Sequence, residues 1–246
     1  MSNLPFTYPD WPAPPRVRAL QTTRLGGVSQ GGYASLNLAD HVGDDLSAVA
    51  HNRALLQSYL PNQPRWLNQV HQCHLVNAAQ LDRPAEADAS FATVSNVVCA
   101  VMTADCLPIL LCHRVATLVV AIHAGWRGLC NGIIESTIQR IMMTFALEAK
   151  DLLAWLGPCI GAQAFVVDDA VRAQFIAVDA RASMAFSVFG TQWRADLHAL
   201  AVQRLLAVGV RAIYGGGLCT YTDSHRFFSF RRDAKTGRMA TLIWLT

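Results

Sequence analysis

Two histidines and a cysteine stand where apolar stretches of the chain give way to short polar clusters. His71 closes Asn68-Gln69-Val70-His71, Cys106 closes Thr103-Ala104-Asp105-Cys106, and His123 opens His123-Ala124-Gly125-Trp126-Arg127-Gly128. A strand that ends in a polar cluster delivers side chains to a cleft, a common place for an active site. Imidazole and thiolate are donors that zinc favours, and three protein ligands leave a fourth position open for water or substrate. The separations of 35 and 17 residues match no short zinc motif. By residue type alone the trio therefore reads equally as two hydrogen-bonded histidines and a small buried thiol.

The neighbours of the trio carry further options. Asp105, beside Cys106, could act as a general acid, orient a ligand histidine, or simply shape a turn. Arg127 precedes Gly128 at the mouth of a helix, where free backbone N–H groups favour an anion; it reads as a phosphate subsite or an ordinary surface arginine. His74 follows His71 by three residues, but Leu75 and Val76 suggest a strand that turns it away. Cys99, Cys112 and Cys130 read as packing residues. Cys159 and Cys219 follow glycine-containing turns and have no assigned role, and Arg231, Arg232 and Asp233 form a charge cluster at a strand end or a solvated rim.

Elements that alternate between strand and helix must position these residues. Val97 to Met102, Pro108 to Cys112 and Thr117 to Ile122 are apolar, β-branched runs of the length of buried strands. Residues 46 to 60 carry helical spacing up to Pro61, and Ile133, Ile134, Thr137, Ile138, Ile141, Met142 and Phe145 form one helical stripe. Further helices are expected over 170 to 178, near Asp168 or Asp169, and from Asp196 to about Val208 before Gly209, which then leads into a strand over 210 to 214. Arg226 to Trp244 reads as two strands around a Thr236-Gly237 turn. The glycines at 26, 27, 31 and 32 mark a long structured loop, and the Pro-rich residues 1 to 15 form a lead-in. The sum is a mixed α/β protein, with residues 1 to 246 as a single domain.

Composition narrows the function. The chain has 246 residues, 52% apolar and 15% charged, with a net charge of +3. That is enough apolar matter for a large core, and basic residues are too scattered for a nucleic-acid or membrane footprint. The basic and aromatic alternation from Arg226 to Arg232 could stack RNA bases but describes a half-buried strand equally well. No basic segment followed by a continuous apolar one opens the chain, and no uninterrupted apolar run reaches membrane-spanning length. Seven cysteines, an odd number, suit free thiols in a reducing compartment, so a cytoplasmic location is expected.

The segments TRLGGVSQGGYASLNLADHVGDD (23 to 45), QVH (69 to 71), ADCLPILL (104 to 111), HAGWRGL (123 to 129), GPCIG (157 to 161), DLHALA (196 to 201) and CTYT, FFSFRRD and TGRMA near the end closely resemble the laccase-domain purine nucleoside phosphorylase family. This is the YfiH type, formerly called multicopper polyphenol oxidases. The resemblance implies a four-layer α/β/β/α domain with mixed sheets and a zinc site on His71, Cys106 and His123, with copper a possible replacement. It also implies phosphorolysis of purine nucleosides to free base and ribose 1-phosphate, and deamination of adenosine. Phosphate would then need an anion pocket, for which Arg127 is one candidate and the Arg24 and Asn37 loop a second. The chain departs from the family pattern at Gln72-Cys73, where Gly-Thr is usual, and over residues 162 to 167 after GPCIG.

Three rival functions remain to be separated. A multicopper polyphenol oxidase needs about ten His and Cys ligands, whereas this chain has eight histidines and no His-X-His pair. A metal-free hydrolase would use His123 to activate Cys106 as nucleophile, including amidase-type editing of cell-wall precursors. A binding module without catalysis is the third.

Overall fold

A computed structural model of the chain describes residues 4–246, so the first three residues of the expected lead-in lie outside the described residues. The expected apolar runs form the centres of two sheets. The first sheet has the order Phe6–Thr7, Val17–Thr22, Met239–Leu245, Val98–Thr103, Pro64–Arg65. The second runs Ala212–Gly215, Leu152–Leu156, Leu107–His113, Val119–Ala124, Ala89–Ala92, Leu75–Asn77. Both contain parallel and antiparallel pairs, giving a mixed α/β architecture.

Side-chain alternation explains why the central strands are apolar throughout. Cys99, Val101 and Ile243 from the first sheet meet Leu110, Cys112, Val119, Ala121 and Trp155 from the second in one cluster. The intervening residues Ile109, Leu111, Val120, Ile122 and Leu156 pack under the helices Ile133–Phe145 and Leu197–Ala207. On the far side of the first sheet, Ala100, Met102, Leu242 and Trp244 pack against Leu36, Leu38 and Leu56. A strand covered on both faces has no position left for a polar alternate, so its sequence is a continuous hydrophobic run.

Three of the helices begin where acidic side chains satisfy free N–H groups. Asp45 accepts from Ser47, Asp168 from Val171 and Asp196 from Ala199, each an N-cap contact. After His123 the chain makes the short helix Trp126–Cys130, breaks at Gly132, whose φ is +92°, and continues as Ile133–Phe145. The lead-in contributes a strand of its own, with Phe6 opposite Thr22.

One expected element is corrected. Arg226 to Trp244 is not a hairpin: Met239–Leu245 is the only strand of the segment, preceded by the short helix Phe230–Asp233. Phe227 and Phe228 are both fully buried, which alternation along a strand half-open to solvent forbids. Ser229 caps the short helix, and the Arg232 guanidinium ties the segment down by donating to the carbonyls of Thr220, Tyr221 and Phe227 at 2.8–3.0 Å.

This arrangement predicts that Arg232→Ala lowers folding stability by about 1–3 kcal/mol, because three carbonyls lose a charged donor. Arg232→Lys should recover little, since a point ammonium cannot span three acceptors. Urea denaturation of the two variants measures both effects.

Candidate active site

The turn Ala104-Asp105-Cys106 carries the chain from the end of Val98–Thr103 in the first sheet to the start of Leu107–His113 in the second. Cys106 therefore stands at the end of both sheets. Next to it, His123 on Val119–Ala124 is the register partner of Pro108. His71 arrives from the loop after Leu67–Asn68, with a left-handed backbone of φ 60°. The three side chains offer ligand atoms that all lie within 4.8 Å of one another. The imidazole rings of His71 and His123 are 4.7 Å apart and nearly perpendicular, and Cys106 Sγ is 3.7 Å from His71 Nε2.

Gly125 is what allows the trio to close. A Cβ at this position would lie 2.6 Å from His71 Cδ2 and 3.1 Å from Cys106 Sγ, closer than packed atoms tolerate. The glycine in HAGW thus leaves room for the donors to converge, and two imidazoles with a thiolate form a donor set suited to zinc or copper.

Asp88 organises the site and was missed by sequence reasoning. It is fully buried, and its carboxylate accepts from His123 Nδ1 at 2.8 Å and from the backbone N–H groups of His71, Gln72 and Val70 at 2.9, 2.8 and 3.3 Å. The only sequence signal was an acidic residue between small ones, Ala87-Asp88-Ala89, just before a buried strand. With Nδ1 donating to Asp88, His123 turns Nε2 towards the other donors.

The electrostatics follow from this contact. Burial raises the Cys106 thiol, but the charge and hydrogen bond of His123, aided by His71, outweigh it and bring the pKa down to about 6. Burial acts downward on His123, yet the Cys106 charge and the Asp88 hydrogen bond carry it up to about 9. Burial also pushes Asp88 upward, and its bonds to His123 and the loop N–H groups hold it below the usual carboxylate range. The two opposed shifts favour a thiolate–imidazolium pair between Cys106 and His123 in the absence of metal.

The trio opens into a cavity of about 570 Å³, within the size range of small-molecule sites. Trp126, Phe165 and Phe230 supply aromatic wall, and Arg127, Arg231 and Arg238 supply positive charge. None of these arginines pairs with a carboxylate among the described residues. Asp105 lines the same cavity, but both of its oxygens already accept bonds, from Thr220 Oγ1 and from the Arg231 N–H, each at 2.6 Å. It holds the turn, which it enters with φ 93°.

Arg24 and Asn37, expected near an anion, do not line the cavity. Arg24 donates to the carbonyls of Ala34 and Ser224 and covers the Phe228 ring. Asn37 is fully buried, bonded to Ala39, Asp44 and the N–H of Arg238. Both are spent on anchoring the glycine-rich loop, a role that glycine spacing alone could not reveal.

The Gln69 amide brackets Met102, accepting from the N–H at 2.7 Å and donating to the carbonyl at 2.8 Å. At the unusual Gln72-Cys73, Gln72 points to solvent and Cys73 Sγ rests 3.4 Å from the Asn131 carbonyl, outside the trio. In the divergent segment after GPCIG, Phe165 forms cavity wall. His74 also lies outside the trio. Burial drives the thiols of Cys99 and Cys112 up to about 12, as expected for packing residues. Cys159 rests against His198 and Cys219 accepts from the Gly161 N–H, both apart from the trio.

Comparison with known proteins follows the same outline. Residues 18–246 match the family described as multi-copper polyphenol oxidoreductase laccase. The chain is 50% identical over 240 residues to an Escherichia coli protein named purine nucleoside phosphorylase YfiH, covering 96% of this chain and 97% of the relative. A Pseudomonas aeruginosa protein, also named a purine nucleoside phosphorylase, is 49% identical with the same coverage. Among solved structures, a Neisseria meningitidis protein superposes with a TM-score of 0.91 at 47% identity and 98% coverage of both chains. A Bacillus licheniformis protein titled hypothetical protein YfiH superposes with 0.89 at 29% identity, covering 94% of this chain and 93% of its own.

Two outcomes are expected of the metal-free protein. Thiolate absorbance should appear with a midpoint near pH 6 and vanish in Cys106→Ser; a first midpoint near 9 would remove the ion pair. The depressed Cys106 pKa contributes stability that is full above 9.0 and lost as pH falls through about 6. The raised His123 pKa contributes stability that is full below 6.5 and lost as pH rises through about 9. The slopes oppose, so stability should stay nearly level between these limits. Separately, Asp88→Asn should cost about 3 kcal/mol or more and weaken metal binding by about 10- to 100-fold, read by competition with a chromogenic chelator.

Proposed function

The chain belongs to the family described as multi-copper polyphenol oxidoreductase laccase, and from that premise we propose that it is a metal-dependent purine nucleoside phosphorylase. It would cleave a purine nucleoside with phosphate to free base and ribose 1-phosphate, the activity named for its Escherichia coli and Pseudomonas aeruginosa relatives. The observation that carries the reading is the His71, Cys106 and His123 trio opening into an aromatic cavity whose arginines have no carboxylate partners among the described residues.

His71, Cys106 and His123 would hold the metal, with zinc the fitting ion for this donor set and copper able to replace it. When bound, it would supply Lewis-acid polarisation at an open coordination position. The chain's own residues do the rest. Trp126, Phe165 and Phe230 give flat apolar surface to a purine, and the unpaired arginines make the cavity favourable for an anion. Arg127, exposed at the rim over the Trp126 ring, would attract phosphate. Asp105 keeps Cys106 in place, its carboxylate being engaged as an acceptor twice over. Deamination of adenosine is proposed as a second reaction of the same centre, since an open metal position also serves hydrolytic attack on a purine ring.

One geometric fact favours a second reading. His123 lies between Cys106 and Asp88 as a base lies between a nucleophile and its orienting carboxylate, which would suit a metal-free hydrolase or amidase acting on cell-wall precursors. Copper-dependent polyphenol oxidation has less support, because the described residues contain one His/Cys ligand group where that chemistry uses several.

The test is to incubate the purified protein with adenosine, inosine and guanosine, with and without phosphate, and to assay ribose 1-phosphate and inosine. Ribose 1-phosphate should form only with phosphate present, and both chelation and Cys106→Ala should abolish it. Base release without phosphate would remove phosphorolysis. Full activity in a chelated protein free of metal would remove the metal dependence.

A further inference from the structure

Within the cavity, Arg238 differs from the other two cationic residues. Arg127 and Arg231 are exposed, whereas Arg238 is drawn in and held at several points. Its Nη1 donates to the carbonyls of Thr236 and Gly237 at 2.9 and 3.0 Å, and its backbone N–H donates to Asn37 Oδ1 at 2.9 Å. Its Nε and Nη2 meet no protein acceptor among the described residues, and no carboxylate lies within ion-pair distance. Arg238 lines the cavity with its guanidinium 5.7 Å from the Phe230 ring centroid, and a guanidinium anchored at one nitrogen with donors left over is prepared for a fork-like contact with an oxyanion.

Backbone register places this donor beside the reacting centre. Met239 is the strand partner of Thr103, so Arg238 enters the sheet next to the turn that carries Asp105 and Cys106. Burial lowers the Arg238 pKa, and the charges of Cys106 and Asp105 are near enough to oppose that effect. Thr103 lines the same cavity, and its buried Oγ1 has no hydrogen-bond partner among the described residues. Buried hydroxyls are nearly always satisfied, so this one marks a point of unmet polarity at the wall beside Arg238.

We propose that Arg238, held by Asn37 and the 236–237 carbonyls, is the anion-binding residue of the site and takes the phosphate co-substrate, with Arg127 and Arg231 serving only at the rim. The assignment rests on the phosphorolysis reading for the identity of the anion as co-substrate. Asn37, although remote from the cavity wall, acts on the anion through the position it gives Arg238. An exposed arginine gains little from an anion in water, whereas a pre-anchored one at a recessed position gains more because less of its freedom is lost on binding.

Direct binding of inorganic phosphate, measured by titration calorimetry on the metal-loaded protein without nucleoside, separates this assignment from the activity itself. Arg238→Met should weaken phosphate binding by about 10- to 100-fold at unchanged metal content, while Arg127→Met and Arg231→Met change it by less than about threefold. Where turnover is present, Arg238→Met should raise the phosphate KM far more than the nucleoside KM. Phosphate should also protect Arg238 of the unmodified chain from phenylglyoxal, read by peptide mass spectrometry, which requires no variant to fold. Arg238-dependent phosphate binding without nucleoside cleavage would uphold the subsite and remove the phosphorylase. Equal phosphate binding by wild type and Arg238→Met, a larger loss in Arg127→Met, or no phosphate binding by wild type would each overturn the subsite.

Discussion

Asp88 is an ionised carboxylate with no solvent exposure, and an isolated charge in that position would be strongly unfavourable. It persists because four donors converge on it: three consecutive backbone N–H groups, from Val70 to Gln72, and the ring of His123. The same four contacts decide the geometry of the site. His71 adopts a left-handed backbone that costs a non-glycine residue about 1–2 kcal/mol, and the Asp88 contact on its own N–H offsets that cost. His123 has one ring nitrogen committed to Asp88, so the other faces Cys106. Removing this carboxylate would free two of the three donors at once.

Cys106 is constrained by a second carboxylate in an analogous way. Asp105 also has a positive φ, and it is held by Thr220, by the Arg231 N–H and, through its carbonyl, by the Ile160 N–H. Two strained turns, each fixed by a buried acid, thus meet across the gap left by Gly125. The acids nearest the trio are consumed by the scaffold, so their charges are neutralised by backbone donors and one imidazole. The three arginines of the cavity form no ion pair with a carboxylate among the described residues.

Much of this was legible from the chain. The runs around Val98, Leu110 and Val120 could only be strands with both faces covered, and the polar residues at their ends had to meet a cleft. Cys106, His71 and His123 were visible as donors by chemical type and, through the family motifs, as a set. Their organiser was not, because Asp88 lies 17 residues from His71 and 35 from His123, with nothing local to mark it apart from any buried acid. Arg238 is separated from Cys106 by most of the second half of the molecule, and only strand register brings it to the site. The segment around Phe227 and Phe228 misled for a related reason: alternating aromatic and basic residues suggest a strand, but here Arg232 serves as a long-range clamp on three carbonyls. Arg24 and Asn37 looked functional beside clustered glycines, yet those glycines needed anchors, and these two side chains provide them.

The trio leaves two chemistries open that compete for the same atoms. A metal requires Cys106 as thiolate and His123 with a free lone pair on Nε2, whereas the metal-free pair places a proton there. Binding of a metal must therefore expel that proton, and the affinity of the site falls as the medium becomes acidic. Asp88 acts in both cases, stabilising the imidazolium when metal is absent and strengthening His123 as a ligand when it is present. The charge and hydrogen bond of His123 bring the Cys106 pKa down to about 6, which favours the thiolate form that a metal needs. A site arranged in this way is prepared for a cation by the same ion pair that would make a cysteine nucleophilic.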